Sequence, residues 1–385
     1  MAATWEFATA GRIVFGPGAA SQIAPAARQF GKRALLVTGR KPRQAARIVA
    51  DLHAAGVGCS PYATEGEPTL DTVRAGVDTA RREGCDFVIA CGGGSAIDAG
   101  KAIAAMLSNP GDVLDYLEVI GRGQPLQAPP VPFIAVPTTA GAGSEATRNA
   151  VLQSPAHGVK ASLRSPLMLP RLAVVDPELS LSVPPEVTAA TGLDALSQLL
   201  EPFVSARANA MTDMLCREGL RRAGRALRRA FLEGSDLEAR TDMAFAGLLS
   251  GMALANAGLG AVHGFAAPIG GAFPAPHGAV CAALLEPVTR VNLRALRERQ
   301  PGHPALGKYE EAAALLDPGA RSAGDLARWL AQIRADLRIP RLSAYGIRAD
   351  DIPGLCEKAA RASSMKGNPV ELTPDELAEI LHSAL

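Results

Sequence analysis

Through the first 180 residues, short β-branched or apolar runs alternate with Ala-rich amphipathic stretches, the pattern of βαβ units on a parallel sheet. Strands are predicted at RALLVTG (33–39), VGCSPYA (57–63), DFVIACGGG (86–94), PFIAVPTT (132–139) and RLAVVDP (171–177), with crossover helices over 42–55, 69–83 and 95–108. After Asp176 the texture changes. From residue 184 the chain reads as helix, starting at Pro184-Pro185 and continuing through Ala/Leu/Arg faces at 207–231 and 237–258. Gly and Pro mark 121–132 as a loop and 346–356 as a turn feeding the last helices. The pattern therefore predicts an α/β domain over residues 1–180 and an all-helical domain over 181–385, a division that suits a chain of 385 residues at roughly 100–200 per domain.

Composition narrows the class. With 48% apolar and 20% charged residues the chain can bury a sizeable core, which excludes intrinsic disorder. Thirty-nine basic side chains against 38 acidic ones leave a net charge of +1, so no global field favours a nucleic acid or an anionic membrane, and neither partner is expected. The six cysteines show no CxxC spacing and read as reduced core thiols. The N-terminus has no basic region followed by an apolar run, so a cytoplasmic location is expected. One segment stands apart: residues 243–285 contain no Asp, Glu, Lys or Arg, a window long enough to span a bilayer, and Gly247 and Gly251 keep the small-xxx-small spacing of packed membrane helices. Its second half holds two His, three Pro and several Gly, so no unbroken lipid-compatible run of about 20 residues survives there. The segment is instead expected at the centre of the helical domain, around a dry polar site.

Two constellations carry candidate chemistry. The DFVIA strand runs into Cys91-Gly92-Gly93-Gly94-Ser95, so three residues without Cβ precede a Ser read as a helix N-cap. Backbone N–H groups at such a turn, with the positive end of the helix dipole, suit a pyrophosphate, although the GxGxxG fingerprint is absent. A second small-residue loop, Thr138 to Glu145, follows the next strand. Farther on, Asp194 and Gln198 stand at i and i+4 of one helix face, while the uncharged stretch supplies His263, read near the end of a helix, and His277 at a Pro-His-Gly turn. One carboxylate and two neutral imidazoles form a metal-ligand set that leaves positions open for water or substrate.

These residues resemble the iron-containing (group III) alcohol dehydrogenase family. The matching blocks are FGPGA (15–19), GGGSAIDAGKA (92–102), VPTTAGAGSEATRNAV (136–151), KASLRSPLMLPRLAVVDPEL (160–179), TAATGLDALSQLLE (188–201) and GLGAVHGFAAPIGGAFPAPHG (258–278). The resemblance implies a dehydroquinate synthase-like fold with a dinucleotide-binding α/β domain, a helical metal domain, a catalytic cleft between them and a homodimer. It places Gly93, Gly94, Ser95 and Asp98 on the pyrophosphate and nicotinamide side, Thr138 and Thr139 on a second cofactor loop, and Asn149 and Lys160 beside the cofactor. It makes Asp194, His263 and His277 three of four ligands to a divalent metal, iron or zinc, with Gln198 where the fourth ligand is normally His.

Two further departures bear on chemistry. Ala267 replaces a His that borders substrate in many members. At the end of the first strand, Thr38-Gly39-Arg40-Lys41 lacks the Asp that binds the cofactor ribose, so NADP is expected to be tolerated beside NAD. The implied function is metal-assisted hydride transfer between an alcohol and an aldehyde or ketone, with Asp98, Lys160, His263 and His277 as catalytic residues and a small carbonyl or alcohol as substrate. Two alternatives stay open. One is a metal-independent enone reductase of the maleylacetate reductase branch, with Arg164 or Lys160 binding carboxylates. The other is a lyase like 3-dehydroquinate synthase.

Overall fold

The computed structural model describes residues 4–40 and 45–385. Lys41 and the start of the helix expected from residue 42 lie outside them. The chain forms two compact units, one of residues Thr9–Thr139 with Gly143–Ser182, the other of Val183–Leu385 with the N-terminal stretch to Ala8 and Ala140–Ala142. Those last two pieces were expected in the α/β part. Small residues explain where the loop goes: a Cβ on Gly141 would lie 2.5 Å from Thr191 Cβ, and one on Gly247 would lie 3.2 Å from Gly141 N. Residues 140–142 thus lie directly against two helices of the second unit.

The first unit is a six-stranded sheet in the order β1-β8-β5-β4-β2-β3, all neighbours parallel, with β1 Ile13–Phe15, β2 Arg33–Gly39, β3 Gly58–Thr64, β4 Phe87–Gly92, β5 Phe133–Pro137 and β8 Leu172–Val175. Every residue of β4, β5 and β8 is buried, as expected of parallel strands covered on both faces. Among the strands, the hydrophobic pattern missed the three-residue edge strand β1 and an antiparallel hairpin, β6 Asn149–Ser154 with β7 Val159–Arg164; it also missed the short helices Ile23–Ala27 and Val113–Tyr116. The hairpin turns through Pro155–His157 and Gly158. Beneath it Lys101, fully buried, donates to Ser144 O (2.8 Å), Thr147 O (3.1 Å), Thr147 Oγ1 (2.9 Å) and Asn149 O (2.7 Å), tying the post-β5 loop to the hairpin. Burial lowers its ammonium pKa to about 8.

The second unit is helical. Pro184 and Pro185 open a helix over Pro185–Val204 that is buried without interruption from Gly192 to Val204. The uncharged stretch is shared among Leu237–Ala257, Ala261–Ala272 and His277–Arg299. Among the described residues no single helix is long and apolar enough to cross a membrane; the first two of these pass that test only as a pair bent by 99°. The turn expected at 346–356 is already helical from Ile352.

Candidate functional site

Along the sheet, the chain proceeds from β2 to β3 in one direction and from β4 through β5 to β8 in the other. The carboxyl ends of β2 and β4 are therefore the topological switch point, where parallel α/β sheets bind ligands. Gly39 ends β2 and Gly92 ends β4, so close that a Cβ on Gly92 would lie 3.5 Å from Gly39 N and 2.7 Å from Ala96 Cβ. The following helix runs over Gly94–Ser108 and its N-cap is Gly93, not Ser95. Gly93 holds an extended backbone and no side chain caps the helix, because three glycines in a row carry none to offer. Ser95 falls inside the first turn. Ala96 and Ile97 N–H donate to Gly93 O at 3.0 and 3.1 Å, so the N–H groups of Gly94 and Ser95 are the ones that fit a dinucleotide pyrophosphate.

The other cofactor candidates surround this turn. Thr138 N–H donates to Gly92 O at 2.9 Å, and Thr139 Oγ1 would lie 3.4 Å from a Cβ on Gly93. Asp98, one turn into the helix, accepts from Val151 N–H at 2.9 Å and fixes the hairpin. Asn149 heads β6 with its carbonyl on Lys101. Lys160 is buried against Glu67 at 2.5 Å, so its charge is already compensated within the unit. At the end of β2, Arg40 pairs with Glu65 at 3.0 Å, both exposed. The residue after β3, whose last pair in the register is Gly39 with Thr64, thus places a carboxylate beside the end of β2.

The second constellation is built on the Pro185–Val204 helix, where Asp194, Gln198 and Glu201 follow at i, i+4 and i+7 on one face. All three are buried. Ser250 Oγ donates to Gln198 Oε1 at 3.0 Å, which gives that oxygen a partner. Glu201 accepts twice, from Val262 N–H at 2.7 Å and from His263 Nδ1 at 2.6 Å. Asp194 Oδ1 is different: it is buried, it has no hydrogen bond, and it lies 3.4 Å from His263 Nε2 and 3.7 Å from His277 Nε2. A buried carboxylate oxygen left bare beside two imidazoles is costly unless a cation sits there.

Both histidines stand at helix starts. His263 is in the first turn of Ala261–Ala272, not near a helix end, and His277 is the first residue of His277–Arg299. One turn into that helix, Cys281 turns its Sγ to both, 3.7 Å from His263 Nε2 and 3.6 Å from His277 Nε2. One donor atom each from Asp194, His263, His277 and Cys281 lies within 4.8 Å of the others. By donor chemistry and by the bare Asp194 oxygen, the residues fit a divalent metal. Glu201 orients the set from behind: accepting Nδ1–H fixes the tautomer of His263 and aims its Nε2 lone pair at the cluster.

Electrostatics agree. Burial opposes a charge on His263, but Cys281, Glu201 and Asp194 outweigh it and hold its pKa well above the ordinary histidine value. Cys281 likewise pushes His277 up to about 9, against burial and with help from Asp194. Burial works against the charge on Asp194 too, yet His277 and His263 keep its pKa below the ordinary value. A cluster that retains protons this strongly has negative potential to spare, which a divalent cation would satisfy in their place. Glu201 and Cys281 were not among the expected site residues. The i, i+4, i+7 run and the four-residue step from His277 to Cys281 were the signals available for them.

Two family models cover the chain: iron-containing alcohol dehydrogenase over residues 10–177 and the C-terminal region of the same family over 188–385. The chain belongs to the iron-containing alcohol dehydrogenase family. It is 36% identical over 380 residues to the 1,3-propanediol dehydrogenase of Citrobacter freundii, with 96% of each chain covered. It is 32% identical over 378 residues to the NAD-dependent methanol dehydrogenase of Bacillus methanolicus, covering 97% of each. Among solved structures, a 1,3-propanediol oxidoreductase superposes with a TM-score of 0.92 at 34% identity over 100% of both chains. As a member of the iron-containing alcohol dehydrogenases, the chain is an oxidoreductase acting on alcohols and aldehydes.

Proposed function

We propose that this enzyme interconverts a small primary alcohol and its aldehyde, using NAD(P) and a divalent metal held by Asp194, His263 and His277. The bare, buried Asp194 Oδ1 between two imidazoles carries this reading. When bound, the metal supplies Lewis-acid polarisation of the substrate oxygen, and the nicotinamide supplies or accepts hydride. The chain's own residues do the rest. Glu201 fixes the orientation of His263, and Ser250 holds Gln198 beside the ligand face. Val262, Phe265 and Val280, fully buried next to the two histidines in sequence, exclude water and keep the local dielectric low. Gly93, Gly94 and Ser95 bind the pyrophosphate, while Asp98, Thr138, Thr139, Asn149 and Lys160 position the remainder of the cofactor. Arg40 is the cation available to a 2′-phosphate and Glu65, paired with it, resists one, so NAD is favoured and NADP is accepted at a cost. Ala267 offers no acid, and the proton on the product oxygen comes from water.

The metal-independent enone reductase has no comparable support, because Arg164 is paired with Glu118 at 3.0 Å and Lys160 with Glu67 at 2.5 Å, leaving neither cation free for a substrate carboxylate. The test is metal content, measured on protein purified without chelator, alongside aldehyde reduction by wild type and His277→Ala. Activity that tracks bound metal and is lost in the variant supports the proposal; full activity in metal-free protein overturns it. A cytoplasmic homodimer belongs to the same proposal, and light scattering of the purified enzyme checks the dimer.

A further inference from the structure

We propose that Cys281 is itself a metal ligand, completing an Asp-His-His-Cys donor set with Asp194, His263 and His277, and that the site prefers zinc to iron. The inference rests on the metal reading of this cluster and deepens it.

The geometry carries it. Zinc bonds of about 2.0–2.2 Å to N and O and about 2.3 Å to S, arranged tetrahedrally, set edges of about 3.4 Å between N and O donors and about 3.6 Å between N and S donors. The separations present are 3.4 and 3.7 Å from Asp194 Oδ1 to the two Nε2 atoms, and 3.7 and 3.6 Å from Cys281 Sγ to the same atoms. Four of the six edges of such a tetrahedron are thus close to the right length, and every donor pair lies within 4.8 Å. The sulfur is also placed there by the backbone: His277 and Cys281 are one turn apart on the same helix, so both project from one face. Gln198, the other candidate for a fourth donor, already has one Oε1 lone pair on the Ser250 hydroxyl. Cys281 is fully buried, and its sulfur faces the two imidazole nitrogens and the Asp194 carboxylate. A thiol kept only for packing needs none of these.

The donor chemistry sets the metal. Exchanging a fourth oxygen or nitrogen donor for a thiolate softens the set and favours zinc, which takes mixed Cys and His ligation readily, over iron(II). Binding displaces the thiol proton, since only the thiolate coordinates.

The experiment uses the full chain, stripped with a chelator and reloaded anaerobically with Co(II) as a spectroscopic substitute for zinc. A thiolate ligand gives a near-ultraviolet sulfur-to-cobalt charge-transfer band beside the visible ligand-field bands. Wild type is expected to show both, and Cys281→Ser only the visible ones. Zinc affinity of Cys281→Ser, titrated against a competing chelator, should fall by more than the roughly 10–100-fold that losing an outer-shell partner costs. The zinc-to-iron ratio taken up from an equal mixture, read by elemental analysis, should fall with it. Visible bands without a charge-transfer band in wild type overturn the assignment of Cys281 while leaving the Asp-His-His site intact. Absence of any bound cobalt overturns both. The wild-type spectrum decides the point even if the variant does not fold.

Discussion

Replacing Glu201 with Gln separates the support of the site from its ligands. Glu201 is 6% exposed, and its two oxygens accept from Val262 N–H and His263 Nδ1–H at 2.7 and 2.6 Å. Gln keeps the shape but has one carbonyl oxygen, so one of these N–H groups must face an NH₂. The lost bond to a charged acceptor contributes about 1.5–3 kcal/mol, and a buried donor left unsatisfied costs about 1–3 kcal/mol. These overlap, and a net loss of roughly 2–3 kcal/mol is expected in the metal-free protein. At about 2–4 °C per kcal/mol for a unit of this size, that is a fall in Tm of roughly 4–12 °C. Outer-shell partners of a ligating histidine are worth about 10–100-fold in metal affinity. Zinc should therefore bind Glu201→Gln that much more weakly, and the rise in Tm on adding zinc should shrink. Thermal denaturation with and without zinc, with a chelator-competition titration, measures both. Wild-type zinc affinity in Glu201→Gln would refute the argument, even if the Tm fell, because Glu201 would then only stabilise the fold.

Two further outcomes follow from the α/β unit. Gly92→Ala places a methyl group 2.7 Å from Ala96 Cβ, so the helix must move away from the end of β4; NADH affinity, followed by fluorescence, should drop well beyond that of Gly93→Ala, whose methyl meets Thr139 Oγ1 at a tolerable 3.4 Å. Equal affinities would show that the switch point does not hold the cofactor. Glu145 is buried, and desolvation raises its pKa from 4.5 to about 7 against the pull of Lys101. The folded state then holds a proton that the unfolded chain has released, so stability falls as pH rises from about 4.5 to about 7 and levels off above. Glu145→Gln should flatten the Tm profile across that window, and an unchanged slope would assign the effect elsewhere.

The division of labour between strands and helices was legible because it rests on periodicity. Continuous apolar runs named β2, β4, β5 and β8, and Pro184-Pro185 named the start of the central helix. What periodicity missed was held by tertiary contacts. In the β6–β7 hairpin only Val159–Arg164 alternates apolar and polar residues cleanly, and the hairpin's position depends on Lys101 reaching three backbone carbonyls from a helix about 45 residues earlier in the chain. The placement of Ala140–Ala142 with the helices depends on Gly141 and Gly247 having no side chains where they meet. A count of glycines flags such residues without saying which surfaces they let approach.

The site was legible to the extent that its chemistry is one-residue chemistry. His263, His277 and Asp194 draw notice singly, as polar groups in an apolar background. Glu201 and Cys281 draw none, since a Glu within a helix reads as a surface residue and a Cys among alanines reads as core. Both become informative only through the helical period applied to residues already suspected. Seven residues from Asp194 the period reaches Glu201, and four from His277 it reaches Cys281. The same step explains how the chain can carry Gln198 at a ligand position. With the amide oxygen on Ser250, the proposed Cys281 ligand, carried on another helix, would restore the donor count without restoring the donor type. A change of donor type alters which ion the site selects more than whether it binds one, so metal identity is the property in which this enzyme should differ from relatives that keep histidine there.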